Sequence, residues 1–185
     1  MKENKKNKTK NTIPAGTKTL LLIRHAKSDW NDTGLNDQDR PLNERGKKDA
    51  PIMAQRLLDA GVPIDLFISS PAKRARKTAR IFAKAYGRGK AELILRDELY
   101  LAAESVFFDT IGHTADKYNH IAVFSHNPGI TMFANELSEA HIDNIPTCGV
   151  FAVTVKSNSW AGFREAQKTF WFFDYPKLEP KIIPV

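Results

Sequence analysis

The feature that most constrains this chain is a rhythm. Short, continuous apolar runs alternate with stretches whose apolar residues recur at helical spacing. The run Thr19-Leu20-Leu21-Leu22-Ile23 is short and has no polar face. That pattern suits a strand buried on both sides, as in a parallel sheet. A polar loop rich in Asp and Asn follows from Asp29 to about Arg40. Asn43 then reads as an N-cap. Ala50, Met53, Ala54, Leu57 and Leu58 mark one helical face, which Gly61 and Pro63 bring to an end.

The unit repeats in kind. Leu66-Phe67-Ile68 is a strand, and Ser70-Pro71 reads as a cap with proline in the first turn of the next helix. Ala75, Ala79 and Phe82 form that helix's inner stripe. Leu93-Ile94-Leu95 is a third strand, and the spacing predicts a helix from about Glu104 to Lys117. Ile121-Ala122-Val123-Phe124 is a fourth strand, Asn127-Pro128 opens a helix to about Leu137, and Val150–Val155 and Thr169–Phe173 close the chain as strands. Alternating strands and helices predict a three-layer α/β fold, an open and mostly parallel sheet with helices on both faces.

The chain's 185 residues suit one domain. The net charge of +7 points to nucleic acid only until it is localised. Lys2, Lys5, Lys6, Lys8, Lys10 and Lys18 face only Glu3, so most of the excess lies in a polar segment. The expectation is a disordered basic tail over residues 1–18 and a single domain over residues 19–185. Nucleic acid is then an unlikely partner, and tail-mediated binding would be strongly salt-dependent. No apolar stretch of signal-peptide length follows the lysine-rich start, and no run is long enough to cross a bilayer. The expected compartment is the cytoplasm, without membrane association. The single cysteine, Cys148, excludes an intrachain disulfide and a multi-cysteine metal site. Asp29, Asp32, Asp37 and Asp39 share one loop but lack the glycine and closing glutamate of a calcium loop. No metal and no cofactor are expected.

In open α/β sheets, ligands bind beyond the carboxyl ends of the strands. Arg24-His25 follows the first strand, Ser69-Ser70-Pro71 leads from the second to Arg74, and Ser125-His126-Asn127 follows the fourth. Two arginines and two histidines thus converge on one edge. Guanidinium forks bind phosphate oxygens bidentately, and a neutral imidazole can attack phosphorus. The residues alone point to an anion-binding cleft. A capping or packing role for each histidine is the competing reading.

The same residues resemble a known family. Arg24-His25-Ala26-Lys27-Ser28-Asp29-Trp30-Asn31 is similar to the Arg-His-Gly motif of the histidine phosphatase superfamily, the group that includes phosphoglycerate mutase. Arg40-Pro41-Leu42 with Arg45-Gly46, then Ser69 to Ala79 around Arg74, then Ser125-His126-Asn127-Pro128-Gly129 match its later motifs in order. The short chain and the Arg-His-Ala-Lys-Ser form most resemble its small SixA-type phosphohistidine phosphatases. That resemblance implies a metal-independent phosphatase with His25 as phosphoryl acceptor, and Arg24, Arg74 and His126 completing the phosphate pocket. Asn31 and Arg40 are implied as further substrate-binding residues. Glu98 is implied as general acid, with Asp97 and Glu104 as alternatives. The implied partner is a phosphohistidine-bearing protein or a small phosphorylated metabolite. The alternatives are a small-molecule phosphomonoesterase or mutase of the same fold, and a non-catalytic phosphate-binding module.

Overall fold

The structure is a computed structural model that describes residue 13 and residues 16–179. The expected disordered tail lies mainly on residues 1–12, 14 and 15, outside the described residues. Ten main elements follow in chain order: β1 (Thr17–Arg24), α1 (Glu44–Asp59), β2 (Leu66–Ser69), α2 (Lys73–Ala85), β3 (Leu93–Leu95), α3 (Glu104–Gly112), β4 (His120–Ser125), α4 (Gly129–Glu136), β5 (Val150–Lys156) and β6 (Lys168–Asp174). The sheet order is β3-β2-β4-β1-β5-β6. β1 pairs parallel with β4, β4 with β2, and β2 with β3. β5 runs antiparallel to β1, and β6 antiparallel to β5. The sheet is thus mostly parallel with an antiparallel edge, and helices cover both faces.

The continuous apolar run of β1 reflects this sandwiching. Leu21 and Ile23 pack with Ala50, Met53 and Leu57 of α1 and with Ala79 and Phe82 of α2. Leu20 and Leu22 point the other way, into a cluster with Phe107 and Ile111 of α3 and Ile130 and Phe133 of α4. All four strand residues are fully buried, each stabilising the fold by about 1.5–3 kcal/mol relative to exposure. One-sided burial would have demanded alternation.

The helix ends explain several sequence signals. The Asn43 side chain accepts a hydrogen bond from the Gly46 amide at 2.9 Å, capping α1. At the other end Gly61 takes φ +77°. Its amide bonds Leu58 O at 3.0 Å, and the Val62 amide bonds Leu57 O at 3.0 Å. This paired closure satisfies carbonyls that α1 leaves free.

Four expectations need correction. β1 begins at Thr17, so the tail does not extend to residue 18. Lys18 is 1% exposed, and its ammonium donates to Asp116 O at 3.0 Å, Tyr118 O at 3.2 Å and Asn119 Oδ1 at 3.3 Å. Composition grouped it with the other lysines, but these carbonyl partners allow a strand lysine to be buried. α3 ends at Gly112 instead of near Lys117; the His113 amide closes the helix onto Asp109 O, and a turn leads to β4. α2 starts at Lys73, with Ala72 in the capping position. Ser70 is therefore not its N-cap. Asn127-Pro128 precedes α4 as a cis peptide, and the helix itself starts at Gly129.

Candidate active site

β2, β4 and β1 are neighbours at the middle of the sheet, so their carboxyl ends deliver side chains to one place. His25 follows β1, Ser70 follows β2, Arg74 lies in the first turn of α2, and His126 follows β4. The ladder continues past the strands to hold these residues: the His25 amide bonds Ser125 O at 3.1 Å, and the Ser70 amide bonds Phe124 O at 3.0 Å. Cys148, fully buried, takes a positive φ of 62°. In that conformation its amide bonds both Arg24 O and His25 O at 3.1 Å. Thr78 ties the β1 turn to α2, because its hydroxyl accepts from the Ala26 amide at 3.0 Å and donates to Arg74 O at 2.8 Å.

Two glycines permit the close approaches that this edge requires. A Cβ on Gly46 would lie 2.1 Å from Lys27 O, and one on Gly129 would lie 1.9 Å from Ala102 O. Both helices therefore press against main chain beside the site. This gives a steric reason for glycine at the Arg45-Gly46 and Pro128-Gly129 positions.

The His25 ring is oriented by Nδ1–H, which donates to Ala26 O at 2.8 Å. That bond assigns the tautomer and leaves the Nε2 lone pair facing Arg74, whose Nε–H donates to it at 3.3 Å. His126 lies 5.1 Å from His25 between ring centroids, and its Nε2 pairs with Ser70 Oγ at 2.8 Å. Burial pushes the His25 pKa down to about 3, and the positive charges of Arg74, Arg24 and Arg40 act in the same direction. His126 is likewise lowered to about 3, by burial first, then by His25 and Arg74. Both rings are neutral near pH 7. Among the described residues, His126 Nδ1 and Arg24 Nε are buried without a hydrogen-bond partner. Buried polar atoms of this kind are costly unless a ligand satisfies them.

Arg24, His25, Arg74, His126 and Arg40 all reach this edge, though not all face it alike. Arg24 Nη1 is spent on Ile145 O at 2.8 Å and Asn144 Oδ1 at 3.3 Å. Arg40 is 6% exposed and bonds Ser28 Oγ at 2.7 Å and Asp29 O at 3.0 Å. Its guanidinium carbon lies over the exposed Trp30 ring, 3.1 Å from the ring centroid. Asn31 lies on the exposed loop, where its amide bonds Asp29 Oδ1 at 2.9 Å. Glu98 is exposed on a short 3-10 turn, Asp97–Leu99. Among the described residues no hydrogen bond or ion pair joins the Asn31 or Glu98 side chain to the histidines.

Sequence reasoning missed three participants. Ser70 was read as a cap, yet its hydroxyl holds His126. Tyr100, two residues after Glu98, packs its ring edge-on against His126 with centroids 5.6 Å apart. Asp37 was grouped with the other acids of its loop. It sits on a 3-10 turn, Asp37–Asp39, and its carboxylate pairs with Arg74 Nη2 at 2.8 Å, Arg40 Nη1 at 2.6 Å and the Tyr100 hydroxyl at 2.7 Å. Its three-residue spacing from Arg40 is the only local signal. The contacts with Arg74 and Tyr100 span 37 and 63 residues.

Fold and cluster together define an α/β protein whose central strand ends gather neutral imidazoles and guanidinium groups, a set matched to phosphoryl chemistry. Residues 20–100 match the histidine phosphatase superfamily (branch 1). The chain is 32% identical over 152 residues to an uncharacterised chloroplastic protein of Arabidopsis thaliana, covering 78% of this chain and 69% of that one. It is 37% identical over 81 residues to a 2,3-bisphosphoglycerate-dependent phosphoglycerate mutase of Bartonella tribocorum, but this match spans 42% of this chain and only 38% of the mutase. The structure of a protein assigned as the phosphohistidine phosphatase SixA from Agrobacterium tumefaciens superposes with a TM-score of 0.72 at 25% identity, covering 86% of this chain and 98% of that one. The chain belongs to the histidine phosphatase superfamily, in the SixA-type branch. No described helix is long and apolar enough to cross a membrane.

Proposed function

We propose that this chain is a phosphatase that removes phosphoryl groups through a phosphohistidine intermediate on His25, and that its substrate is a phosphohistidine-bearing protein. The observation that carries the reading is the His25 ring. It is neutral, fixed through Nδ1–H on Ala26 O, and presents Nε2 to Arg74. A protonated Nε2 could not attack phosphorus.

In this mechanism Nε2 forms a bond to phosphorus as the bond to the leaving group breaks. Arg74, Arg24 and His126 hold the equatorial oxygens, with Arg40 and Asn31 as further contacts at the mouth. When the leaving group is an imidazole already protonated on its other nitrogen, it departs neutral and needs no acid. Water then attacks phosphorus, the P–Nε2 bond breaks with its electron pair returning to the ring, and orthophosphate leaves with the water's oxygen. Glu98 is the proposed proton donor for oxygen leaving groups, which need one. Its exposed position, without a partner in the cluster, favours a substrate that does not depend on it. The SixA-type neighbour supports the same substrate class.

The test is a panel of histidine-phosphorylated protein, phosphotyrosine peptide, sugar phosphates and 2,3-bisphosphoglycerate. The expected result is preferential turnover of the phosphohistidine protein, with an acid-labile, alkali-stable phosphoenzyme that maps to His25. Wild-type activity in a folded His25→Ala protein, or isomerised phosphoglycerate as the main product, would overturn the proposal.

A further inference from the structure

Arg74 is already engaged through all three of its nitrogens in the resting site. Its Nε–H points at His25 Nε2, its Nη2 at Asp37 Oδ2 and its Nη1 at Asp37 O. Arg40 gives Nη1 to Asp37 Oδ1, and the Tyr100 hydroxyl donates to Asp37 Oδ2. The two carboxylate oxygens thus span both guanidinium groups, as two oxygens of a phosphoryl group would. The arginine side chains are 5% and 7% exposed, whereas that of Asp37 is 43% exposed. The anion lies at the mouth, over buried cations.

We propose that the Asp37 carboxylate occupies the oxyanion seat on Arg74 and Arg40 as a built-in competitor, so that a phosphoryl group enters only by displacing it. The inference deepens the phosphatase reading above and rests on it. The turn that carries Asp37 buries none of its residues, and residues 31–39 are all exposed. The turn can therefore lift away without opening the core. Burial alone would raise the Asp37 pKa, but the hydrogen bonds from Tyr100, Arg74 and Arg40 outweigh it and hold the carboxyl well below the usual carboxylate range. Asp37 is then an ionised competitor at any working pH and a poor proton donor. A free oxyanion meets this competition with nothing but its own charge, whereas a protein-borne phosphoryl group brings further contacts. Displacing Asp37 costs product and substrate alike, so orthophosphate, which lacks those further contacts, is left the weaker ligand.

The experiment is calorimetric titration of orthophosphate into the full chain and into Asp37→Asn, Asp37→Ala and Arg74→Ala variants, each checked for folding by circular dichroism. Both Asp37 variants are expected to bind orthophosphate about threefold to tenfold more tightly than wild type, since one half-exposed charge-assisted contact no longer competes. In turnover assays, product inhibition by phosphate strengthens by the same factor. Unchanged or weaker binding in both folded variants, while Arg74→Ala abolishes it, overturns this inference alone. Absence of phosphate binding in all forms overturns the anion-site reading together with it.

Discussion

Replacing Arg74 with lysine separates charge from geometry at the centre of the site. Arg74 is 4% exposed and uses three N–H groups in two directions: Nε to His25 Nε2 at 3.3 Å, and the Nη pair to Asp37, with Nη2 at 2.8 Å from Oδ2. A lysine keeps the positive charge but offers one compact ammonium, which can reach one direction and not both. Losing a single donor aimed at transition-state charge costs about 10²–10³-fold in rate, or about 3–4 kcal/mol. Arg74→Lys should therefore lower kcat/KM by about 10³-fold on whichever substrate wild type turns over best. Stability should fall by only about 1–2 kcal/mol, because the Asp37 carboxylate keeps a cationic partner. Steady-state kinetics alongside urea unfolding reads both quantities. A folded Arg74→Lys protein with kcat/KM within about tenfold of wild type would refute the claim that the guanidinium fork, and not charge alone, does the chemistry.

Among the described residues, Ser70→Ala strips His126 Nε2 of its hydrogen-bond partner in a site where Nδ1 has none. It should cost about 1–3 kcal/mol in thermal or chemical unfolding and lower activity; an unchanged melting curve would count against the role given to Ser70. Gly46→Ala drives a Cβ to 2.1 Å from Lys27 O and should destabilise by about 1–3 kcal/mol, with a loss of activity that Gly61→Ala, far from any such contact, does not share. His25 and His126 each have a folded pKa near 3, below the ordinary value near 6.5. The unfolded chain then binds more protons, so their stabilisation is complete above about pH 6.5 and is lost as pH falls toward 3. Between pH 6.5 and 5 each histidine should steepen the loss by up to about 1.4 kcal/mol per pH unit, and His126→Asn should flatten the slope measured by urea unfolding at pH 7, 6 and 5.

Much of the fold was legible because burial on two faces leaves a plain mark. The apolar runs at Leu20–Ile23 and Ile121–Phe124 suit sandwiched strands, and α/β alternation then predicts helices on both faces. The same logic predicts that Arg24, His25, Arg74 and His126 meet at one sheet edge. Helix ends were legible where a residue's own conformation decides them, as at Asn43 and Gly61. They were not legible where a neighbour decides them. The end of α3 at Gly112 and the start of α2 at Lys73 depend on turns that local spacing does not encode.

The amino-acid sequence by itself determined which side chains stand at the strand ends, since strand rhythm and strand-end position are properties of the local chain. Tertiary structure alone decided what the chemistry is held by and opposed by. Lys18 is a buried strand residue because carbonyls 98 and 100 residues away receive its ammonium. Ser70 supports an imidazole 56 residues distant. Asp37, one acid among four in a polar loop, becomes the counter-ion of Arg74 and Arg40 because the fold sets that loop over them. Periodicity reports which side of an element is buried, whereas partnership across the sheet edge is fixed only when the elements pack.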